Sequence, residues 1–166
     1  MIAVADSSPL IALASIGRLD LLPRQYESVV IPPAVYREVV LEGNDRSGAA
    51  EVGQATWVRV VPLEEPAQLE QIRELRAAYS GLGSGEIEAV LLASLLGADE
   101  LLMDDPRGRQ LARLRGVRVV GTIAVLVAAH DRGWTGDPVP EVERLADQGF
   151  RVSRATLDDL PRRFRP

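Results

Sequence analysis

The chain has no cysteine, no lysine and one histidine in 166 residues, and each shortage removes a chemistry. Without cysteine there is no disulfide scaffold, no thiolate nucleophile and no thiolate zinc site, which suits a cytoplasmic protein without requiring one. All 19 basic residues are arginines, so no lysine can form a Schiff base, clamp a phosphate as an ammonium or act as general base. The sole histidine, His130, falls late in a helical pattern, where a surface or C-terminal capping role outweighs catalysis. Histidine-based nuclease mechanisms and Ser-His-Asp hydrolysis are accordingly disfavoured. Aromatic residues make up 4% of the chain, too few for stacking platforms that grip single strands. No apolar run approaches the roughly 18 residues of a membrane span, and Met1-Ile2-Ala3-Val4-Ala5-Asp6 reads as a strand rather than an export signal.

What is present describes one ordinary domain. The hydrophobic fraction of 46% and the length suffice for a single buried core. A net charge of −5, from 19 basic and 24 acidic residues, has the wrong overall sign for a polyanionic partner, so any such contact must be local. Short Val- and Ile-rich runs at Ile2 to Ala5, Ser28 to Ile31, Trp57 to Val61, Glu100 to Met103 and Val117 to Val120 read as strands. Most are continuously apolar, as in a parallel sheet covered on both faces. Helical patterns lie between them: Pro9 to Ile16 with Ser8 as cap, Pro33 to about Glu42, Arg46 to Ala55, Pro66 to Tyr79, Ser84 to Leu96, Pro106 to Arg115 and Thr122 to Arg132. Two more, Pro140 to Asp147 and Arg154 to Arg163, follow a stretch without strands, so 134–166 reads as a C-terminal helical appendage. The expected fold is α/β, a three-layer α/β/α sandwich with a mainly parallel central sheet. Asp45 to Gly48 and Glu64 to Pro66 read as surface turns, not linkers.

Open parallel sheets gather functional groups at the carboxyl ends of their strands. Asp6 follows one apolar run directly, and Asp104 with Asp105 follows another. If those strands are neighbours the carboxylates converge, and an oxygen-only cluster suits Mg²⁺ or Mn²⁺. Each acid taken alone has an ordinary explanation as a cap or turn former, and the pattern carries the case. Glu38, beside the apolar stripe of Val35 and Val39, is either a solvated edge or a ligand pointing into a cleft. Glu86 and Glu88 lie two residues apart on a helix, about 200° of rotation, so only one can face a site. Glu86 is preferred because it sits in the first turn beside Gly83-Ser84-Gly85, where its plain alternative is to complement the helix dipole.

These residues resemble the PIN domain family, the ribonuclease fold of VapC-type toxins and RNA-processing nucleases. Asp6-Ser7-Ser8-Pro9-Leu10-Ile11 is similar to the family's Asp-x-Ser-x-Leu-Ile opening. Glu38, then Leu82-Gly83-Ser84-Gly85-Glu86-x-Glu88-Ala89, then Leu101-Leu102-Met103-Asp104-Asp105-x-x-x-Arg109 follow in the family's order. The likeness covers about Met1 to Arg132, is nearest a prokaryotic subgroup described as predicted nucleic-acid-binding, and extends to Gly149-Phe150-Arg151-Val152-Ser153. The resemblance implies that Asp6, Glu38, Glu86 and Asp104 or Asp105 hold one or two Mg²⁺ or Mn²⁺ ions and hydrolyse RNA phosphodiesters. It further implies that Ser8 orients Asp6 or a water, and that the chain is a homodimer through its early helices, with a cognate antitoxin as a possible partner. The family's central acid is often Asp, and here it is the longer Glu86. Asp104 ranks before Asp105 because it ends the strand itself.

Residues 107 to 118 carry Arg107, Arg109, Arg113, Arg115 and Arg118 without an acid among them. Arg109 and Arg113 share a helical face, and with Arg107 they are the candidates for substrate phosphates, the alternatives being a solvated face or an Arg109 that braces a site carboxylate. Arg162, Arg163 and Arg165 are weaker candidates because chain ends are often mobile. A receiver-like phosphoacceptor would also cluster acids but wants a lysine. A catalytically silent PIN-fold module binding nucleic acid or protein is the second alternative.

Overall fold

Side-chain alternation along the strands decides the layers. The computed structural model describes residues 1–44 and 46–164. The expected turn residue Asp45 and the terminal Arg165 lie outside the described residues. In chain order the elements are β1 (Ile2–Ala5), α1 (Ser7–Ser15), α2 (Leu21–Gln25), β2 (Ser28–Ile31), α3 (Pro33–Tyr36) with a π-helical turn (Arg37–Leu41), α4 (Ala49–Gln54) and β3 (Val58–Val60). There follow α5 (Pro66–Ala78), α6 (Ser84–Leu96), β4 (Glu100–Leu102), α7 (Pro106–Leu114), β5 (Val119–Val120), α8 (Thr122–Asp131), α9 (Val139–Asp147) and α10 (Arg154–Phe164).

The five strands are parallel throughout, in the order β3-β2-β1-β4-β5. Ala3, Ala5, Val29, Ile31 and Leu102 point to one face, where buried side chains of α1, α2, α8, α9 and α10 join them in one cluster. Val4, Val30, Leu101 and Met103 point to the other, against α5, α6 and α7. This is the three-layer sandwich that continuous apolar strands require. The order reverses between β1 and β4, so the crevice at their carboxyl ends is a topological switch point. The Asp6 amide donates to Leu102 O at 2.9 Å across it.

Several boundaries differ from the sequence expectation, each for a local reason. Helix α1 begins at Ser7 and Ser8 does not cap it: Asp6 takes the extended N-cap conformation (φ −81°, ψ 167°) as the strand ends. Pro9 then falls in the first turn, where its missing N–H costs nothing. The helix expected from Arg46 starts at Ala49, because Gly48 at φ 98° breaks the turn before it. The pattern from Pro33 widens into a π-turn, closed by the Glu42 amide on Arg37 O at 2.8 Å. The five-residue α2 is too short to show a period. β3 and β5 are shorter than expected, β4 ends one residue before Met103, and α9 begins one residue before Pro140.

The C-terminal helices pack into the core beneath α1. Val139, Val142, Leu145 and Leu160 are buried in the same cluster as Leu10 and Leu13. Two polar ties add direction: Arg18 Nε donates to Glu141 Oε1, and Arg144 Nη2 donates to Ile16 O at 2.9 Å. Glu141 is 6% exposed and its Oε2 has no partner among the described residues, so its charge depends on Arg18. Arg18→Met is expected to destabilise the fold by about 2 kcal/mol, the cost of stranding that carboxylate, whereas Arg18→Met with Glu141→Met recovers most of it. Equilibrium urea unfolding of the single and double variants measures both.

Candidate active site

The crevice at the β1–β4 switch point is built from acids, each placed by a different element. Asp6 directly follows β1 and is completely buried. One of its oxygens, Oδ2, has no hydrogen-bond partner among the described residues. Glu38 comes from the π-turn, and its Oε2 accepts from Ser7 Oγ at 2.7 Å. The same hydroxyl lies 3.5 Å from Asp6 Oδ1, so Ser7 stands between the two carboxyls. Glu38 also presses on Gly85 in the first turn of α6, where a Cβ would lie 2.9 Å from Oε1 and 3.0 Å from Oε2. A Cβ there would push that carboxylate back from the helix start.

Glu86, one residue on, folds back so that its Oε2 accepts from the Gly83 amide at 2.5 Å. Glu88 turns the other way, as the rotation between the two demands, and lies 3.6 Å from Arg76 in a groove with Arg37 and Arg73.

The two aspartates after β4 part company. Asp104 gives both oxygens to the start of α8: Oδ1 accepts from the Thr122 amide at 2.8 Å and Oδ2 from Thr122 Oγ1 at 2.5 Å. Asp105 caps α7 with Oδ1 alone, accepting from the amides of Arg107 at 2.9 Å and Gly108 at 2.8 Å. Continued one step past the strands, the alternation explains the difference: Asp104 keeps the face of Leu102, toward α8, while Asp6 keeps the face of Val4, toward α6. A cavity of about 270 Å³ opens among Ser8, Glu86, Asp104, Asp105 and Pro106, with Phe150 and Arg151 on its wall.

The arginines expected near the site are placed unevenly. Arg109 Nη1 donates to Met103 O at 3.1 Å and packs with Asp104 against Gly121. Arg107 lies over Gly81. Arg113 is exposed in the last turn of α7, eight residues and about 12 Å of helix beyond the capping Asp105, away from the acids. Arg118 pairs with Glu100 at 3.3 Å on the far side of the sheet's strands. His130, late in α8 as expected, contacts Gly136 O at 2.9 Å through Nδ1 and takes no part in the crevice. Ser7 and Thr122 are the residues that sequence reasoning passed over. Ser7 was hidden because placing the helix start at Pro9 drew attention to Ser8. Thr122 was visible only as the residue after Gly121.

The acids feel one another. Burial, joined by the charges of Glu86 and Glu38, pushes the Asp6 carboxyl up to about 7, with the amides of Ser7 and Ser8 offsetting part of this. Glu86 is raised by burial and by the charges of Asp105 and Glu38, against the Gly83 amide. Asp6, Glu38, Glu86 and Asp105 therefore form one electrostatic group.

All available donors are carboxylate and hydroxyl oxygens, the set that hard divalent ions take. Among the described residues no group of three or more Asp, Glu or His side chains is arranged to hold a metal ion, and Glu38, Glu86 and Asp104 turn oxygens to Ser7, Gly83 and Thr122. Asp6 Oδ2 is the exception, buried and unpaired beside two further acids. A proton or a cation would satisfy that oxygen, and the oxygen-only donor set is of the kind that Mg²⁺ or Mn²⁺ takes.

A titration follows with a definite sign. The Asp6 carboxyl sits at 3.8 when exposed and about 7 when folded, so folding takes up a proton between those values. Its contribution is intact below pH 4 and is lost as the pH rises through 7, a change of about 4 kcal/mol at most. Metal-free protein is expected to lose stability over that interval relative to Asp6→Asn, as followed by urea unfolding at pH 4.5, 6 and 7.5. Parallel profiles for the two proteins would contradict it.

A family model described as PIN domain matches residues 2–165, nearly the whole chain. No curated protein matches the sequence. With the parallel sheet, the switch-point crevice and a match of that extent, the chain belongs to the PIN domain family, a nuclease-type fold.

Proposed function

We propose that this chain is a divalent-metal-dependent ribonuclease that hydrolyses RNA phosphodiester bonds in the acid crevice. The observation that carries the reading is Asp6 Oδ2, a buried carboxylate oxygen left without a partner among the described residues, in a group of mutually repelling acids. Asp6, Glu38, Glu86 and Asp105 are the residues that would hold Mg²⁺ or Mn²⁺. Asp105 replaces Asp104 in first place because its Oδ2 accepts nothing among the described residues while Thr122 occupies both oxygens of Asp104. When bound, such an ion makes an attacking water nucleophilic at neutral pH and neutralises charge on the phosphoryl oxygens.

The chain's own groups do the rest. Asp6, whose carboxyl burial and the neighbouring acids push up to about 7, would hold such an ion through its unpaired Oδ2. Ser7 donates to Glu38 and so fixes which of its oxygens faces the crevice. Thr122 holds Asp104 as a rigid wall, and Ser8 borders the cavity where a water or substrate oxygen would sit.

The capping bonds of Glu86, Asp104 and Asp105 favour one competing reading, a PIN-fold module that binds nucleic acid or protein without cutting it. A labelled single-stranded RNA separates the two. Cleavage is expected with Mg²⁺ or Mn²⁺, lost with EDTA, restored by either ion, and reduced more than about 100-fold by Asp6→Asn. Ser7→Ala is expected to reduce it about 10-fold, the usual scale for a group that orients a ligand. RNA left intact by the wild type at every ion concentration sinks the ribonuclease reading. A toxin of a toxin–antitoxin pair is one setting for such a site, and its test is growth arrest on induced expression that Asp6→Asn relieves.

A further inference from the structure

Phe150 and Arg151 belong to no periodic element, and a helix stop fixes their place. Helix α9 ends at Asp147, and Gly149 then takes φ 87°, a left-handed conformation that favours glycine. Its amide donates to Ala146 O at 3.0 Å, and the Phe150 amide donates to Leu145 O at 3.0 Å. These paired bonds form a Schellman stop, and the apolar contact that accompanies such stops is present: Leu145 is buried and Phe150 packs on the same cluster. Phe150 is thereby pinned to the core, and Arg151 comes to the wall of the cavity that holds Glu86, Asp104 and Asp105.

Arg151 is exposed there and has no hydrogen-bond or ion-pair partner among the described residues. Of the neighbouring cations, Arg109 is engaged with Met103 O, and Arg107, exposed over Gly81, is not among the residues that line this cavity. Arg151 is also the single basic residue among those that line this cavity. A guanidinium held at the mouth of an acidic cavity, yet paired with none of its carboxylates, is left free for an anion from outside. Its planar fork matches two oxygens of a phosphodiester, which the carboxylates that line the cavity would otherwise repel.

We propose that Arg151 grips the non-bridging phosphate oxygens of single-stranded RNA at the acid cavity, so that the C-terminal segment supplies substrate recognition to a site whose acids come from β1, the π-turn, α6 and the end of β4. The identity of the ligand rests on the ribonuclease reading; the assignment of the phosphate contact to Arg151, not to the α7 arginines, does not.

The test uses the full chain with two readouts: anisotropy of a fluorescein-labelled single-stranded RNA in Ca²⁺, and steady-state cleavage of that RNA in Mn²⁺. Arg151→Ala is expected to weaken binding and raise KM by about 10-fold or more, the effect of a hydrogen bond to a charged group, while kcat changes little. Arg151→Lys should recover part of the loss, since it restores the charge without the fork. Arg59→Ala, on the exposed face of β3, serves as control and leaves both readouts unchanged. Circular dichroism and thermal unfolding of each variant exclude misfolding. Binding by Arg151→Ala equal to that of the wild type overturns the inference even if cleavage is robust. Weakened binding by Arg151→Ala in a wild type that never cleaves sustains Arg151 and removes the ribonuclease reading. A wild type that binds no RNA at all overturns both.

Discussion

The burial of one carboxyl group beside its own kind is the constraint around which the crevice is organised. Asp6 lies fully inside the protein at the end of the central strand, where water cannot solvate its charge and neighbouring acids oppose it. A fold that needed only stability would place an apolar or amide side chain there. Maintaining the acid requires a protonated state, a cation, or both in exchange, and the surrounding chemistry follows from that choice. Ser7 separates Asp6 from Glu38, the Gly83 amide draws Glu86 back, and Asp105 faces the group with one oxygen spare.

Close approach rather than charge determines where those acids can stand. Gly85 lacks the Cβ that would collide with Glu38, and Gly121 lacks the one that would collide with Arg109 and Asp104. The helices are therefore seated against one another through carboxylates and guanidinium groups as well as through apolar side chains. Thr122 extends the same principle to α8, whose first residue locks an aspartate from a neighbouring strand with amide and hydroxyl together. The C-terminal helices contribute the last wall, tied to the loop after α1 by Arg18 and Arg144.

Much of this was legible in the sequence because it depends on short-range rules. Continuous Val and Ile runs announced a parallel sheet, and acids directly after two of those runs announced the crevice, since strand ends and switch points are where such folds place polar groups. The rotation between Glu86 and Glu88 sends them to different partners, the Gly83 amide and Arg76. What escaped detection depended on geometry that no local pattern encodes. A helix starting two residues earlier than expected exchanged the parts of Ser7 and Ser8. The α7 arginines were selected for charge density, but the helix axis carries Arg113 away from the crevice. Arg151 arrives from the far end of the chain, through a glycine stop and a buried phenylalanine, and only tertiary packing brings it near Asp105.

The π-turn at Arg37–Leu41 widens the backbone where Glu38 leaves it. One residue more than a regular turn is accommodated there, sealed by the Glu42 amide reaching five residues back to Arg37. Removing one residue would let the turn relax to ordinary helix with the flanking chain still in phase, so the surplus shapes the turn itself and not the register beyond it. Within that turn Glu38 reaches Ser7 while Val39 stays buried, so the carboxylate is set into the crevice by the width of the backbone as much as by the length of its side chain.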